Sequence, residues 1–138
     1  MRLSICFVAT LLAIPFATAK AACLDVSEGS PPVTLIGNLT KQVFPGPPNY
    51  ESVTNGDMPE QAWILKLGAP ICIDDKGAQA DPTLQFDTIH IYFTRESINA
   101  QFPRFVGARV RVTGDGFAAH SGHHHAPLVV DLTQISKL

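Results

Sequence analysis

The segment "VGARVRVTGDG", residues 106–116, decides the fold prediction. In it Val110 and Val112 alternate with Arg109 and Arg111. This period of two is the pattern of a strand with one buried face. One glycine stands before the alternating residues and another just after them, and glycines at such positions suit the bent strands of a small barrel. The segment therefore predicts a strand at the corner of a β-barrel.

Four other segments carry strand patterns, and turn residues separate them. They are "VTLIGNLT" (33–40), "AWILKLGAPICI" (62–73), "DTIHIYFT" (87–94) and "APLVVDLTQI" (126–135). Between the third and fourth strands, Thr94 is expected to cap a short helix, "RESINAQF", that Pro103 ends. Five strands with a helix in this place predict an all-β fold with one short helix: an OB-fold-like Greek-key barrel. A small β-sandwich is the alternative.

The N-terminal residues have the pattern of an export signal. Met1-Arg2 gives a positive start, an apolar run extends from Leu3 to Phe16, and residues 17–19 read Ala-Thr-Ala, a small-x-small cleavage pattern. We assign residues 1–19 to a signal peptide, with cleavage after residue 21 as an alternative, and residues 20–138 to a single domain. The mature chain is expected to be bacterial, periplasmic or secreted, and without a membrane span. Lys20 disfavours acylation of the nearby Cys23.

Cysteine use agrees with export. Cys6 lies in the signal segment, which leaves Cys23 and Cys72 for an oxidising compartment. Their even number and the compartment predict a disulfide, which the chain-entropy model values at roughly 4 kcal/mol. Two free thiols are the alternative.

A long proline-rich connection, "FPGPPNYESVTNGDMPE" (44–60), joins the first two strands. Prolines and glycine stiffen its first half. In an OB-fold this loop lines the usual ligand groove. Tyr50, Glu51 and Asp57 are therefore candidates for a binding surface. Alternatively, Phe44 and Tyr50 only fasten the loop to the barrel.

The second candidate region is "HSGHHH", residues 120–125, where a turn is expected at the Ser-Gly pair. On an extended chain His123 and His125 share one face. With His120 across the turn, and His90 from a neighbouring strand, they could bind zinc or copper, since both metals accept imidazole. A solvated turn, a hydrogen-bonded corner and a pH sensor are the alternatives.

The sequence gives little support to other classes of function. The formal net charge is −2 with 16% charged residues, which does not indicate a nucleic-acid surface. No nucleophile elbow surrounds Ser121 and the carboxylates form no evident pair, so a hydrolase is only a third hypothesis. We expect an exported, non-catalytic module that binds a protein, peptide or glycan, with zinc or copper binding as the alternative.

The blocks "LIGNLT", "FPGPPNYESV", "WILKL", "PICI", "VRVTG" and "AHSGHHHAPLVVDL" together resemble the bacterial domain of unknown function catalogued as family 4431. The resemblance covers most of the mature chain. It implies a small exported bacterial protein and lends no catalytic role to any residue. It directs attention to residues 44–52 and 120–127 as parts of one surface.

Overall fold

The computed structural model describes residues 22–138 of the protein. The predicted signal peptide, residues 1–19 with its alternative end at 21, lies outside the described residues. In the described part, no helix has the length and apolar character needed to cross a membrane.

Strands dominate the structure. Their bounds are β1 Leu24–Asp25, β2 Val33–Pro45, β3 Pro59–Ile71, β4 Ile73–Asp74, β5 Phe86–Tyr92, β6 Arg109–Ala118 and β7 Leu128–Lys137. Five of them close into a barrel in the order β2-β3-β5-β7-β6, and β6 pairs with β2 to complete the ring. Neighbours are antiparallel except β5 and β7, which are parallel. The predicted OB-fold-like barrel is confirmed, and the β-sandwich alternative is wrong.

The barrel interior is filled by the inward faces of the alternating strands. Ile89, Ile91, Val110, Val112 and Leu65 are completely buried there. These are the residues that the period-two pattern assigns to the core, because successive side chains of a strand point to opposite faces. The opposite face of the same strands is therefore free to carry polar side chains such as His90 and Tyr92.

The predicted barrel corner lies at Gly114, where the pairing of β6 with β7 shifts by one residue. A side chain at this position would collide with the backbone of Asp131 on the neighbouring strand. Glycine is required because the two backbones approach too closely for a Cβ.

The connection after β5 departs from the predicted helix. The α-helix covers only Glu96–Asn99, and a 3-10 helix follows at Phe102–Phe105. Arg95, not Thr94, occupies the N-cap position, and it makes no side-chain capping bond. Thr94 instead donates its hydroxyl to Asp131 at 3.4 Å. The capping prediction is wrong because the tertiary partner on β7 competes for that hydroxyl.

The N-terminal end of the described residues is bonded to the segment that follows β3. β1 pairs in parallel with β4, and Cys23 and Cys72 beside them form a disulfide with a Cα–Cα distance of 4.7 Å. The predicted covalent link between the N-terminal segment and the "APICID" strand is confirmed.

Candidate functional site

Two connections meet on the outer face of the barrel. One is the β2–β3 loop, residues 46–58, and the other is the β6–β7 loop, residues 119–127. We call the second the histidine loop, because it contains His120, His123, His124 and His125. These connections occupy the positions of the two loops that border the ligand face of OB-folds. The site is therefore built between them and the strands below.

The β2–β3 loop is organised around one carboxylate. Asp57 is only 4% exposed and accepts four hydrogen bonds: from the backbone N–H of Asn49, Glu51 and Ser52 and from the Asn49 side-chain amide, at 2.8–3.1 Å. The bond from Ser52, then that from Glu51, lower the pKa of Asp57 below its usual value, against the effect of burial. Asp57 thus holds the loop in shape.

Asp57 was predicted as part of a binding surface, and the structure places its carboxylate inside the loop, where it bonds other groups of the loop. Glu51 is exposed, but its backbone N–H is the group that bonds Asp57. Tyr50 is presented outward with φ of 60°, a left-handed conformation that few side chains adopt. Of the three predicted loop residues, only Tyr50 reaches the histidine loop.

Tyr50 joins the two loops through His123. The Tyr50 hydroxyl lies 3.1 Å from His123 Nε2, and His123 Nδ1 lies 3.0 and 2.9 Å from the two carboxylate oxygens of Glu60. We call these three residues the latch. The Tyr50 ring also packs on Gly122, where an added Cβ would stand 3.0 Å from three ring carbons. Glycine is therefore the residue that lets the two loops close on each other.

His125 completes the anchoring of the histidine loop. Its side chain is 7% exposed and stacks flat on Phe44, with ring centroids 4.3 Å apart. Its Nε2 is 3.4 Å from Glu60 Oε1, within ion-pair range but outside hydrogen-bond geometry. His123 and His125 thus face the same carboxylate, as their alternation along an extended chain predicts.

Glu60 is the residue that sequence reasoning missed. Burial opposes ionisation of its carboxyl, but the hydrogen bond and charge of His123, followed by the nearby His125, outweigh burial and lower its pKa. The acidic residues predicted for the binding surface are Glu51 and Asp57. Only the strand register indicates that Glu60 belongs to the site, because Glu60 pairs with Phe44 across the base of the β2–β3 hairpin, directly beneath the loop.

The remaining histidines border an open cleft of about 430 Å³. Its lining comprises Glu60, His90, Tyr92, Phe117, His120, His123, His124 and Val129. The strand register explains the floor, because Val129 pairs with His90 on one side and with Phe117 on the other. Its volume falls in the range of small-molecule sites. Tyr92, Phe117 and His124 were not predicted as site residues.

Backbone contacts fix the tautomers of the cleft histidines. The backbone N–H of His125 donates to His90 Nδ1 at 3.3 Å, and that of His120 donates to His124 Nδ1 at 3.0 Å. An accepting nitrogen carries no proton, so neutral His90 and His124 are protonated at Nε2. His120 has the opposite arrangement: its Nδ1 lies 3.1 Å from the Ala118 carbonyl and donates to it.

Two of the cleft histidines, His90 and His124, also resist protonation. Burial, then the neighbouring His125 and His124, lower the pKa of His90 to about 4, although Glu60 opposes the shift. Burial and the surrounding histidines, His120 first, lower the pKa of His124 as well. At neutral pH these two imidazoles are therefore uncharged hydrogen-bond donors.

The predicted metal ligands do not form one set. His123 and His125 face Glu60, whereas His120 packs against His124, with ring centroids 4.5 Å apart, and His90 lies beside His125 at 5.5 Å. Within residues 22–138, no three His, Cys, Asp or Glu side chains are grouped so that they could hold one ion.

The comparison with protein families gives one finding. Residues 88–136 match the family model described as Domain of unknown function (DUF4431). The match confirms the resemblance to this family for residues 88–136, and the quoted blocks before residue 88 lie outside it. The DUF4431 match contains β6, the histidine loop and most of the cleft, but Tyr50 and Glu60 precede it. The latch therefore connects the DUF4431 segment to the hairpin before it. No curated protein matches the chain.

Proposed function

We propose that the protein is an exported, non-catalytic binding module and that the cleft between its two loops takes the ligand. The observation that carries the proposal is the cleft itself, placed on the face of the barrel where OB-folds bind their ligands. Polar groups line it together with the rings of Tyr92 and Phe117. Such a mixture of a few placed polar groups with aromatic walls is typical of ligand sites.

The latch supports binding rather than catalysis. Glu60, His123 and Tyr50 form a carboxylate–imidazole–phenol chain, but both nitrogens of His123 are occupied by these two neighbours. His123 has no further acceptor nitrogen to offer to a substrate. The chain holds one loop against the other, so we assign it to the shape of the cleft.

The arrangement of the candidate histidine ligands gives less support to the alternative function, zinc or copper binding. A histidine that binds a metal through Nε2 needs its proton on Nδ1, usually donated to a carbonyl or carboxylate. His120 has that arrangement. His123 has it too, but its Nε2 already lies 3.1 Å from the Tyr50 hydroxyl. His90 and His124 have the reverse arrangement. Metal binding would require both rings to turn over and to give up their backbone bonds.

The test is a ligand screen on isotopically labelled protein, read by amide and side-chain NMR shifts. The panel contains amino acids, short peptides, sugars and nucleotides. We expect a bound compound to shift His90, Phe117 and His124, and to lose affinity in Phe117→Leu and His124→Gln. Val43→Ala, an exposed change outside the cleft, is the matched control. A panel that shifts no cleft residue would contradict the proposal.

A further inference from the structure

The charges around the cleft have one sign. Glu60 lies in its wall, and among the described residues that line it there is no lysine or arginine. Tyr92, another wall residue, pairs in register with Asp131, which in turn pairs with Asp115. Three carboxylates therefore lie on this part of the outer face, because registered neighbours point to the same side of a sheet.

Two of the histidines that line the cleft do not add positive charge to it at neutral pH. His90 and His124 have lowered pKa values because burial and the neighbouring imidazoles disfavour their charged forms. The charge on Asp131, acting after burial, raises the pKa of Tyr92. An anionic ligand would meet the Glu60 carboxylate with no lysine or arginine among the described lining residues to attract it, so phosphate-bearing and carboxylate-bearing ligands are disfavoured.

The walls present aromatic rings beside the carboxylate. Phe117 lies 6.1 Å from Tyr92 and 5.5 Å from each of His120 and His124, measured between ring centroids. Aromatic faces attract cations through their quadrupole, most strongly where water is partly excluded. A cation in the cleft would meet a carboxylate and several ring faces together.

From this juxtaposition of Glu60 with the rings of Tyr92 and Phe117 we propose that the cleft binds an organic cation, an alkylammonium or guanidinium group. The inference rests on the proposed function and specifies its ligand class. The cation can belong to a small molecule or to a lysine or arginine side chain of a peptide. The experiment below distinguishes these sources.

The experiment uses calorimetry and NMR at pH 7 with choline, with Nα-acetyl-lysine methylamide, and with 3,3-dimethylbutanol. The last has the shape of choline without its charge. We expect at least one cation to bind and the neutral alcohol to bind roughly tenfold more weakly or not at all. Binding of choline alone indicates a small-molecule source, and binding of the lysine derivative alone indicates a peptide.

Variants separate the charge of Glu60 from its place in the latch. Glu60→Gln removes the carboxylate and is expected to weaken cation binding about tenfold. Tyr50→Phe removes one latch hydrogen bond and leaves the carboxylate, so it measures the effect of a weakened latch alone, and its loss of affinity should be smaller than that of Glu60→Gln. Glu51→Gln removes an exposed acid outside the cleft and is the control for net charge.

The pH dependence of the affinity gives an independent test of the inference. Protonation of His124 and of His90 adds positive charge beside the cation. The other titratable groups that face this region are His120, His123, His125, Glu60, Asp131 and Asp115. Affinity should therefore fall as the pH is lowered from 7 to 5. Equal binding of choline and its neutral analogue, binding of anions instead, or no cation binding would overturn the inference. If sugars or anions still bind the cleft, the proposed function survives this failure.

Discussion

The histidines around the cleft form two groups with different roles: His123 with His125, and His90 with His124. His123 and His125 lie against one carboxylate, Glu60, and hold the loop to the hairpin. His90 and His124 accept backbone N–H bonds, lie among other imidazoles, and have lowered pKa values because they are buried and crowded. The first group anchors the loop, and the second group borders the cleft.

The difference teaches that partners, not proximity in sequence, assign the role of a histidine. His123 and His124 are adjacent, yet one has a carboxylate and the other has a backbone N–H as its partner. A carboxylate accepts a hydrogen bond from the ring, whereas a backbone N–H donates one to it, so the two rings carry a proton on different nitrogens. Each of the following changes should affect one group more than the other.

The largest effect is expected from Asp57→Ala, which removes the acceptor of four hydrogen bonds in the β2–β3 loop. Buried N–H groups left without partners are costly, so we expect calorimetry to show a Tm lowered by roughly 10 °C. The NMR signals of His123 should change because Tyr50 loses its support, whereas those of His90 should change little. A Tm within about 2 °C of the wild type would show that the hydrogen bonds to Asp57 are not needed for stability.

A smaller effect is expected from Gly122→Ala, because the new methyl group would stand 3.0 Å from the Tyr50 ring. We expect thermal denaturation to show a Tm lower by roughly 3–6 °C, with the Tyr50–His123 contact weakened. Gly68→Ala is the matched control, since nothing lies within 4 Å of its added methyl group. In a Tyr50→Ala background the Gly122 change should cost almost nothing, and an undiminished cost would exclude this clash.

The smallest effect is the pH dependence due to His90. Its pKa is about 4 in the folded chain and 6.5 ordinarily, so between these values the unfolded chain binds more protons. Stability contributed by the neutral ring is therefore present above pH 6.5 and is lost as the pH falls toward 4. His124, whose pKa is also lowered, acts in the same direction.

The check is His90→Asn, which keeps an acceptor for the His125 N–H and does not titrate in this range. Between pH 7 and pH 5 the wild type should lose more Tm than the variant, by roughly 1–3 °C. This window lies above the range where the carboxylates titrate. Identical slopes for both proteins would contradict a depressed pKa at His90.

The barrel was predictable because its signal is local. The alternation of Val110 and Val112, and of Ile89 and Ile91, identifies the inward face. The two cysteines that remain outside the expected signal segment predict the Cys23–Cys72 bond. The Thr94 cap was not predictable, because its hydroxyl finds Asp131 on a strand far along the chain.

The site was predictable only in part. The histidine loop and Tyr50 stand out as unusual residues in loops, and extended-chain alternation groups His123 with His125. Glu60 is the last residue of the predicted 44–60 connection and Phe117 follows the predicted barrel-corner segment, and only the pairing register brings them to the site. Asp57 is indistinguishable in sequence from an exposed turn residue, because its burial depends on how the whole loop folds back.

The most direct test of this division is long-range ¹H–¹⁵N NMR of the histidine rings at pH 7.5, assigned with single substitutions. The structure predicts that His90 and His124 are protonated at Nε2, and that His120 and His123 are protonated at Nδ1. That pattern would establish an anchoring group and a neutral, donor-bearing cleft. Nδ1 protonation of both His90 and His124 would contradict it, because those rings would then offer free Nε2 lone pairs as a metal site requires.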